Sequence, residues 1–252
     1  MKFGVLQFFS WPGRRVPLAT VYERAFQRME VMDKTGYDAV WLAEHHFSTY
    51  SVCPSVHLMG THIAAKTTNL RIGTAISLAS FYHPLRLAEE VALLDHVSGG
   101  RVNWGAGRGF DPKEHEIFGV EPKESYPRFR EAVDIVLEAW NNEKLNYKGD
   151  FWEFKDVEVL PKPLQENLPV WMAASSLDAI EWSAQRGHSI MMDPHATHLE
   201  IAKKRAHYKD ALESAGHAFA GRDIPMARTL AMGATAAEAE AVGRAGAEFM
   251  FG

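Results

Sequence analysis

Two hydrophobic rhythms alternate along this chain. Short apolar runs, the signature of strands buried on both faces, occupy residues 2–8, 37–44, 70–76 and 101–107. Between them apolar residues recur at helical spacing. One helix carries Val21, Ala25, Met29 and Met32 and ends near Gly36; Thr20 with Glu23 three residues on has the spacing of a capping box. A second spans 55–66, with Val56, Met59, Ile63 and Ala64 on one face. A third opens at His83-Pro84, runs through Leu87, Val91 and Leu94, and breaks at Ser98-Gly99-Gly100. Strands and helices in this order predict right-handed βαβ units and a parallel sheet.

The rhythm pauses over residues 108–168. That stretch holds a helix over 125–141, a polar and aromatic segment at 147–154 and the punctuation Pro161-Lys162-Pro163. Insertions of this length are commonly lids or binding loops. Regularity resumes with a strand at 169–174, a helix closed by Gly187, a short strand at 189–192, a helix over 198–215, a seventh strand at 225–232 and a final helix over 236–251. The expected architecture is α/β: a single TIM (β/α)8-type barrel domain over 1–252, with the 108–168 insertion after the fourth strand as a lid. A closed barrel needs eight strands. None is legible after residue 232, so the eighth-strand region is expected to be missing.

Composition changes this picture little. At 252 residues, 46% apolar and 23% charged, the chain has ordinary globular usage and length enough for a large core. Its 27 basic and 32 acidic residues give a formal charge of -5 with no basic stripe, which argues against nucleic acid as a partner. A single cysteine, Cys53, rules out an internal disulfide or a multi-cysteine metal site. It reads as a packing residue, with a catalytic thiol as the alternative. The amino terminus has a strand pattern rather than a secretion signal, and no apolar run is long enough for a membrane span. The expectation is a cytoplasmic protein with no membrane contact.

Chemistry concentrates where strands end, the place at which parallel α/β sheets bind ligands. The second strand runs directly into Glu44-His45-His46. Successive side chains on a strand point to opposite faces, so two adjacent histidines do not readily share a metal, and no metal is expected. One of them facing a cleft as acid, base or donor competes with a structural histidine held by a carboxylate. After the fourth strand, Gly105-Ala106-Gly107-Arg108-Gly109 offers small residues that let a ligand near the backbone and an arginine that can fork onto phosphate or carboxylate. It lacks the context of a Rossmann fingerprint or a P-loop. A solvated turn arginine is the alternative. After the fifth strand, Ser175-Ser176 opens a helix whose N-terminus attracts anions, with simple capping as the other reading. Residues 77–82 form a small and aromatic wall that suits a flat ligand; ordinary packing is again the alternative.

Taken together, the motifs carry a resemblance. Trp41-Leu-Ala-Glu-His-His-Phe47, Gly73-Thr-Ala-Ile76, His83-Pro-Leu-Arg-Leu-Ala-Glu-Glu90 and Leu94-Asp-His-Val-Ser-Gly-Gly-Arg101 keep order and spacing with Gly107-Arg-Gly109, Ile117-Phe-Gly119, Pro169-Val170 and Glu181-Trp-Ser-Ala184. The combination, over about residues 1 to 215, resembles the bacterial luciferase-like flavin-dependent monooxygenases, of the luciferase alpha-subunit type. The resemblance implies a barrel binding reduced FMN at the carboxyl ends of its strands. It further implies oxidation of a small organic substrate such as an aldehyde with O2, via a peroxyflavin. On the same ground His45 is the catalytic histidine, Arg108 (with Gly109 beside it) and Ser176 (with Ser175 beside it) hold the phosphate, and a non-proline cis peptide falls at Ala75–Ile76 next to the flavin. Where the family often has a second phosphate arginine, this chain has Tyr126, with Arg128 and Arg130 close by. A homodimer and a separate flavin reductase are expected partners. Two alternatives stay open: an F420-dependent oxidoreductase of the same fold, and a non-catalytic flavin-binding protein.

Overall fold

In a computed structural model, which describes residues 1–251 (side chains through residue 249), these rhythms fold into a curled parallel sheet flanked by helices. In chain order the elements are β1 (Gly4–Gln7), α1 (Leu18–Lys34), β2 (Ala39–Leu42), α2 (Val56–Lys66), β3 (Arg71–Thr74), β4 (Ser77–Leu78), α3 (Pro84–Ser98), β5 (Val102–Gly107), α4 (Pro112–Phe118), α5 (Ser125–Asn141), β6 (Leu145–Lys148), β7 (Glu153–Val157), β8 (Val170–Ala173), α6 (Leu177–Gln185), β9 (Ser189–Met191), α7 (His198–Ser214) and α8 (Ala236–Phe251). The main sheet has the order β1-β2-β3-β5-β8-β9, all pairs parallel, with β4 added on β5. Parallel pairing follows from the crossover helices, which return each strand to the same end. β1 and β9 each have one strand neighbour among the described residues, so the sheet curls as a half-barrel without closing.

The core lies between the sheet and its helices. One apolar cluster joins Met29, Val40, Ile63, Ile72, Val91, Trp104 and Ile135 from successive strands and helices. A second gathers Ile180, Ile190, Tyr208 and Leu212 around α6, β9 and α7. Inside the curl, a side chain at Gly73 would place its Cβ 2.2 Å from the Trp41 ring. The glycine therefore makes room for the indole, which meets Trp171 edge-on at 5.2 Å. Arg101 ties the outer layer down: its guanidinium donates to the carbonyls of Ala64 and Thr67 at the carboxyl end of α2, satisfying orphan helix acceptors, and to that of Leu70 just before β3.

Four expectations change. Helix α1 starts at Leu18, before Thr20; Pro17 occupies the cap with its preset φ of -54°, and the Thr20–Glu23 spacing makes no box. The 108–168 insertion contains an unforeseen short helix, α4, capped by Asp111 with Pro112 in its first turn, and its polar–aromatic segment is the antiparallel hairpin β6–β7. Glu131 of α5 anchors that hairpin, its buried carboxylate accepting from the backbone N–H groups of Asp150, Phe151 and Trp152 at 2.9–3.1 Å. The seventh strand at 225–232 does not form. Pro225 lacks an N–H, Leu230 and Met232 are exposed, and Arg228 donates to the carbonyls of Pro194, Ala196 and Ala227. An apolar run needs a neighbouring strand to complete its ladder, and this one has none among the described residues.

Candidate active site

A cavity of about 1430 Å³ opens at the carboxyl ends of the strands and continues into the curl. It is larger than common ligand pockets of about 300–1,000 Å³, because the gap between β1 and β9 leaves the interior open. His45, Ile76, Arg108, Tyr126 and Ser175 all line it, so residues far apart in sequence converge on one space. A second recess of about 500 Å³ lies at the opposite end, against Lys2, Asn69 and Arg101, the end where barrel residues serve stability rather than chemistry.

The second strand ends at Leu42, three residues before His45. The alternation argument for His45 and His46 therefore applied to residues that are no longer a strand. They diverge nonetheless. His45 is held by a backbone bridge, its N–H donating to Cys53 O at 3.2 Å. Its ring sits among Phe8, Tyr50 and Phe110 at centroid distances of 6.2, 4.9 and 5.7 Å. Its Nδ1 lies 3.3 Å from Oε1 of Glu114, a buried carboxylate on α4. His46 turns the other way, its Nε2 3.1 Å from Oε1 of Glu44 and its ring edge-on to Phe118. Glu44 is buried, accepts from the Leu78 N–H at 3.2 Å, and helps push the Tyr82 hydroxyl, already raised by burial, further above the usual tyrosine range. Glu44 and His46 thus brace the end of β2; His45 meets the cavity, which Glu44 also borders and His46 does not.

Phe81 and Tyr82 belong to that bracing as well. Phe81 packs on His115 and Phe118, and Tyr82 on His57. Neither lines the cavity, so the aromatic wall is ordinary packing; Leu78 is the residue of that stretch at the cavity surface. Cys53 is fully buried and its thiol is pushed up to about 12, chiefly by burial, which fits packing and not a nucleophile.

The third strand divides at a cis peptide between Ala75 and Ile76, the position the resemblance implies. Both residues line the cavity. The small residues after it have a different reason from the one expected. A Cβ on Gly107 would lie 2.0 Å from Ile76 Cδ1, and one on Gly105 would lie 2.1 Å from Thr74 O. These glycines accommodate the neighbouring strand, and so fix where Ile76 sits.

Arg108 is half-buried. Its Nη1 donates to Ser125 Oγ at 3.4 Å and its guanidinium lies 4.5 Å over the Tyr126 ring. Gly109 follows with φ 81°, turning the chain toward Phe110 and α4. Arg130 covers the same Tyr126 ring at 5.6 Å and pairs with Asp178 in the first turn of α6. Arg128 is directed elsewhere, over Phe151 and Trp152 at 5.1 and 5.2 Å, and does not line the cavity. Ser175 reaches the cavity at the start of α6, whereas the Ser176 hydroxyl caps that helix by accepting from the Ala179 N–H at 3.2 Å. The arrangement brings one cavity-lining cation, a hydroxyl and a nine-residue helix's N-terminus around Tyr126, a setting for a phosphate. Within the insertion residues between 108 and 129, together with Gln165 near its end, line the cavity; the hairpin packs outside, on α5. Among the described residues no group of three or more His, Cys, Asp or Glu could hold a metal, and no helix is long and apolar enough to cross a membrane.

Sequence reasoning missed Glu114. Lys113-Glu114-His115-Glu116 reads as a solvated face. The one available signal was Asp111-Pro112 with Glu114 three residues after Asp111, a helix-start pattern, and it predicts a carboxylate folded back on its own helix. Instead Glu114 reaches β2's end.

Comparisons with known proteins bear on the fold and the family. The chain is 31% identical over 197 residues to the oxygenase component of the flavin-dependent trigonelline monooxygenase of Acinetobacter baylyi, covering 77% of this chain and 54% of that protein. It is 31% identical over 189 residues to the alkanal monooxygenase alpha chain of Aliivibrio fischeri, covering 74% and 52%. The crystal structure of monooxygenase RslO1 from Streptomyces bottropensis superposes with a TM-score of 0.92 at 30% identity, over 99% of this chain and 77% of that one. The chain thus spans about half the length of the curated relatives it matches. The profile of the luciferase-like monooxygenases matches residues 1–250, and the chain belongs to that family.

Proposed function

We propose that this chain is the flavin-binding barrel of a monooxygenase that uses reduced FMN and O2 to oxidise a small organic substrate, such as an aldehyde. The observation that carries the reading is the convergence, on one largely apolar cavity, of a phosphate-competent cluster and an acid–base residue. Arg108, Ser175 and the N-terminus of α6 supply donors suited to a phosphate monoester, with Arg130, already neutralised by Asp178, as a more distant cation. Ala75, Ile76 and Trp41 offer apolar surface for a flat ring. The residues present therefore fit FMN.

Bound reduced flavin would supply the electrons that activate O2. The chain's own residues bind, orient and exclude water. Arg108 and Ser175 would hold the phosphate, and His45 lines the same cavity. At the cavity the imidazole can hold or deliver a proton at its exposed edge, with Phe8, Tyr50 and Phe110 packed against it. Residues 109–114, rather than the hairpin, form the lid segment of this reading. A separate reductase delivers reduced FMN, and the protein acts in the cytoplasm as a homodimer.

Fluorescence titration of reduced FMN, riboflavin and F420 against the purified protein tests the cofactor. Binding of FMN at about micromolar or better, a free energy of about -8 kcal/mol, with F420 weaker, is the expected result. Binding of neither would end the reading, and preference for F420 would replace oxygen chemistry with hydride transfer. Oxygen uptake with reduced FMN across aldehydes and ketones then separates an enzyme from a flavin carrier.

A further inference from the structure

The geometry points to Glu114 as the positioning residue that fixes the tautomer of His45. The inference rests on the reading of His45 as the acid–base residue of this cavity, and goes beyond it by assigning which nitrogen carries the proton and what holds it there.

Glu114 is 1% exposed. A buried carboxylate is retained only where hydrogen bonds offset its desolvation. One oxygen, Oε1, takes both partners: the His46 backbone N–H donates to it at 2.8 Å, and His45 Nδ1 lies 3.3 Å away. The backbone donor is fixed, so Oε1 is fixed as an acceptor. An acceptor facing Nδ1 selects the tautomer in which Nδ1 bears the hydrogen. Nε2 is then the bare nitrogen, and it has no hydrogen-bond partner among the described residues. Phe8, Tyr50 and Phe110 pack against the ring in this orientation. Glu114 is itself positioned by α4, a single short helix closed at both ends by the Asp111 cap and by Gly119 with φ 68°. In sequence the two residues lie 69 positions apart, so the insertion after β5 exists in part to bring this carboxylate to the end of β2. The other buried carboxylate nearby, Glu44, is engaged by His46 Nε2 and the Leu78 N–H, so Glu114 alone faces Nδ1.

The consequence is a division of labour. Glu114 orients and holds Nδ1–H; Nε2 takes up and returns the proton at the cavity. Glu114 also borders the cavity, and it acts on the proton through His45.

Nitrogen NMR of ring-labelled histidine in the flavin-free protein, at about pH 8, above the usual imidazole range, reads the tautomer directly. The expected result is a protonated Nδ1 and a bare Nε2 on His45. Any other state in the wild type overturns the proposal. Glu114→Gln keeps the shape but replaces the carboxylate with a neutral amide; it should leave thermal unfolding and FMN affinity within about twofold while mixing the two tautomers. It should also lower kcat by about 100-fold, the low end for a positioned acid–base group, with KM little changed. Glu114→Asp should restore the tautomer and part of kcat. An unchanged His45 spectrum in folded Glu114→Gln would assign the carboxylate a merely structural role. The spectrum needs no flavin, so failure of the cofactor reading, detected by titration, is distinguishable from failure of this one.

Discussion

At the scale of single residues, charge and hydrogen bonding decide what each site side chain does. Arg108 is the clearest case. Its guanidinium lines the cavity beside Tyr126, and on the proposed reading it meets only the phosphate end. Arg108→Ala should therefore weaken FMN binding by about 10- to 100-fold, the loss of one charge-assisted contact worth roughly 1.5–3 kcal/mol, and leave riboflavin binding nearly unchanged. Equal losses in a fluorescence titration would remove its phosphate role. His188 makes a second, independent prediction. Burial holds its pKa down to about 4 from 6.5, and its Nε2 is buried without a partner. The unfolded chain then binds the proton more readily than the native one. Stability is whole above the unfolded pKa and declines as pH falls from 6.5 toward 4, by about 3 kcal/mol in total. Glu90, held near 2 chiefly by its hydrogen bond from His57, acts in the same direction below 4.5, because there too the native state favours the deprotonated form, here the charged one. Urea unfolding at pH 7 and at pH 4.5 should show the His188 loss, and His188→Phe should flatten it. His45 and Arg108 could be marked as candidates at this scale, because both follow strands at the end where ligands bind, while the choice of His45 over His46 came from the family resemblance. Glu114 could not be, because nothing in Lys113-Glu114-His115 says which strand it will meet.

At the scale of elements, the reliable signals were long periodic ones. The helices at 55–66, 84–98, 125–141 and 198–214 and the strands around them were legible from hydrophobic spacing. Elements that depend on a partner were not. β6–β7 reads as a polar, aromatic loop; it becomes a hairpin because Glu131 collects three backbone donors at its turn. Glu131→Ala should cost about 2–3 kcal/mol, the cost of leaving buried donors without their charged acceptor, and should speed hydrogen exchange at residues 150–152 before any other part of α5. An unaltered denaturation midpoint would show that the hairpin holds itself. The run at 225–232 is the converse: it has strand composition, yet Pro225 and the absence of a neighbouring ladder among the described residues leave it irregular. Ser176 and Thr20 make the same contrast for caps. Ser176 caps because its helix starts where β8 ends, while Thr20 loses the position to Pro17.

At the scale of the whole molecule, the open curl decides the size of the cavity and what crosses it. Asp223, after α7, reaches across the gap between β9 and β1: it pairs with Lys2 at 2.5 Å, and its carbonyl accepts from the Trp171 indole at 3.2 Å. The homodimer of the proposed reading predicts a mass of twice 28.2 kDa by light scattering at micromolar concentration; a single-chain mass there would count against it. The sequence by itself determined the parallel α/β class, the long periodic strands and helices and the family, and it marked His45, Arg108 and Ser175 as candidates, because hydrophobic period and strand-end chemistry are local properties written in neighbouring residues. Only the tertiary structure decided that Glu114 meets His45, that Arg130 and not Arg128 turns toward α6, that Phe81 and Tyr82 pack away from the cavity, and that residues 225–232 join no strand ladder among the described residues. Each of those depends on which distant group occupies the space beside a side chain or a strand edge, and that is fixed by packing rather than by spacing along the chain.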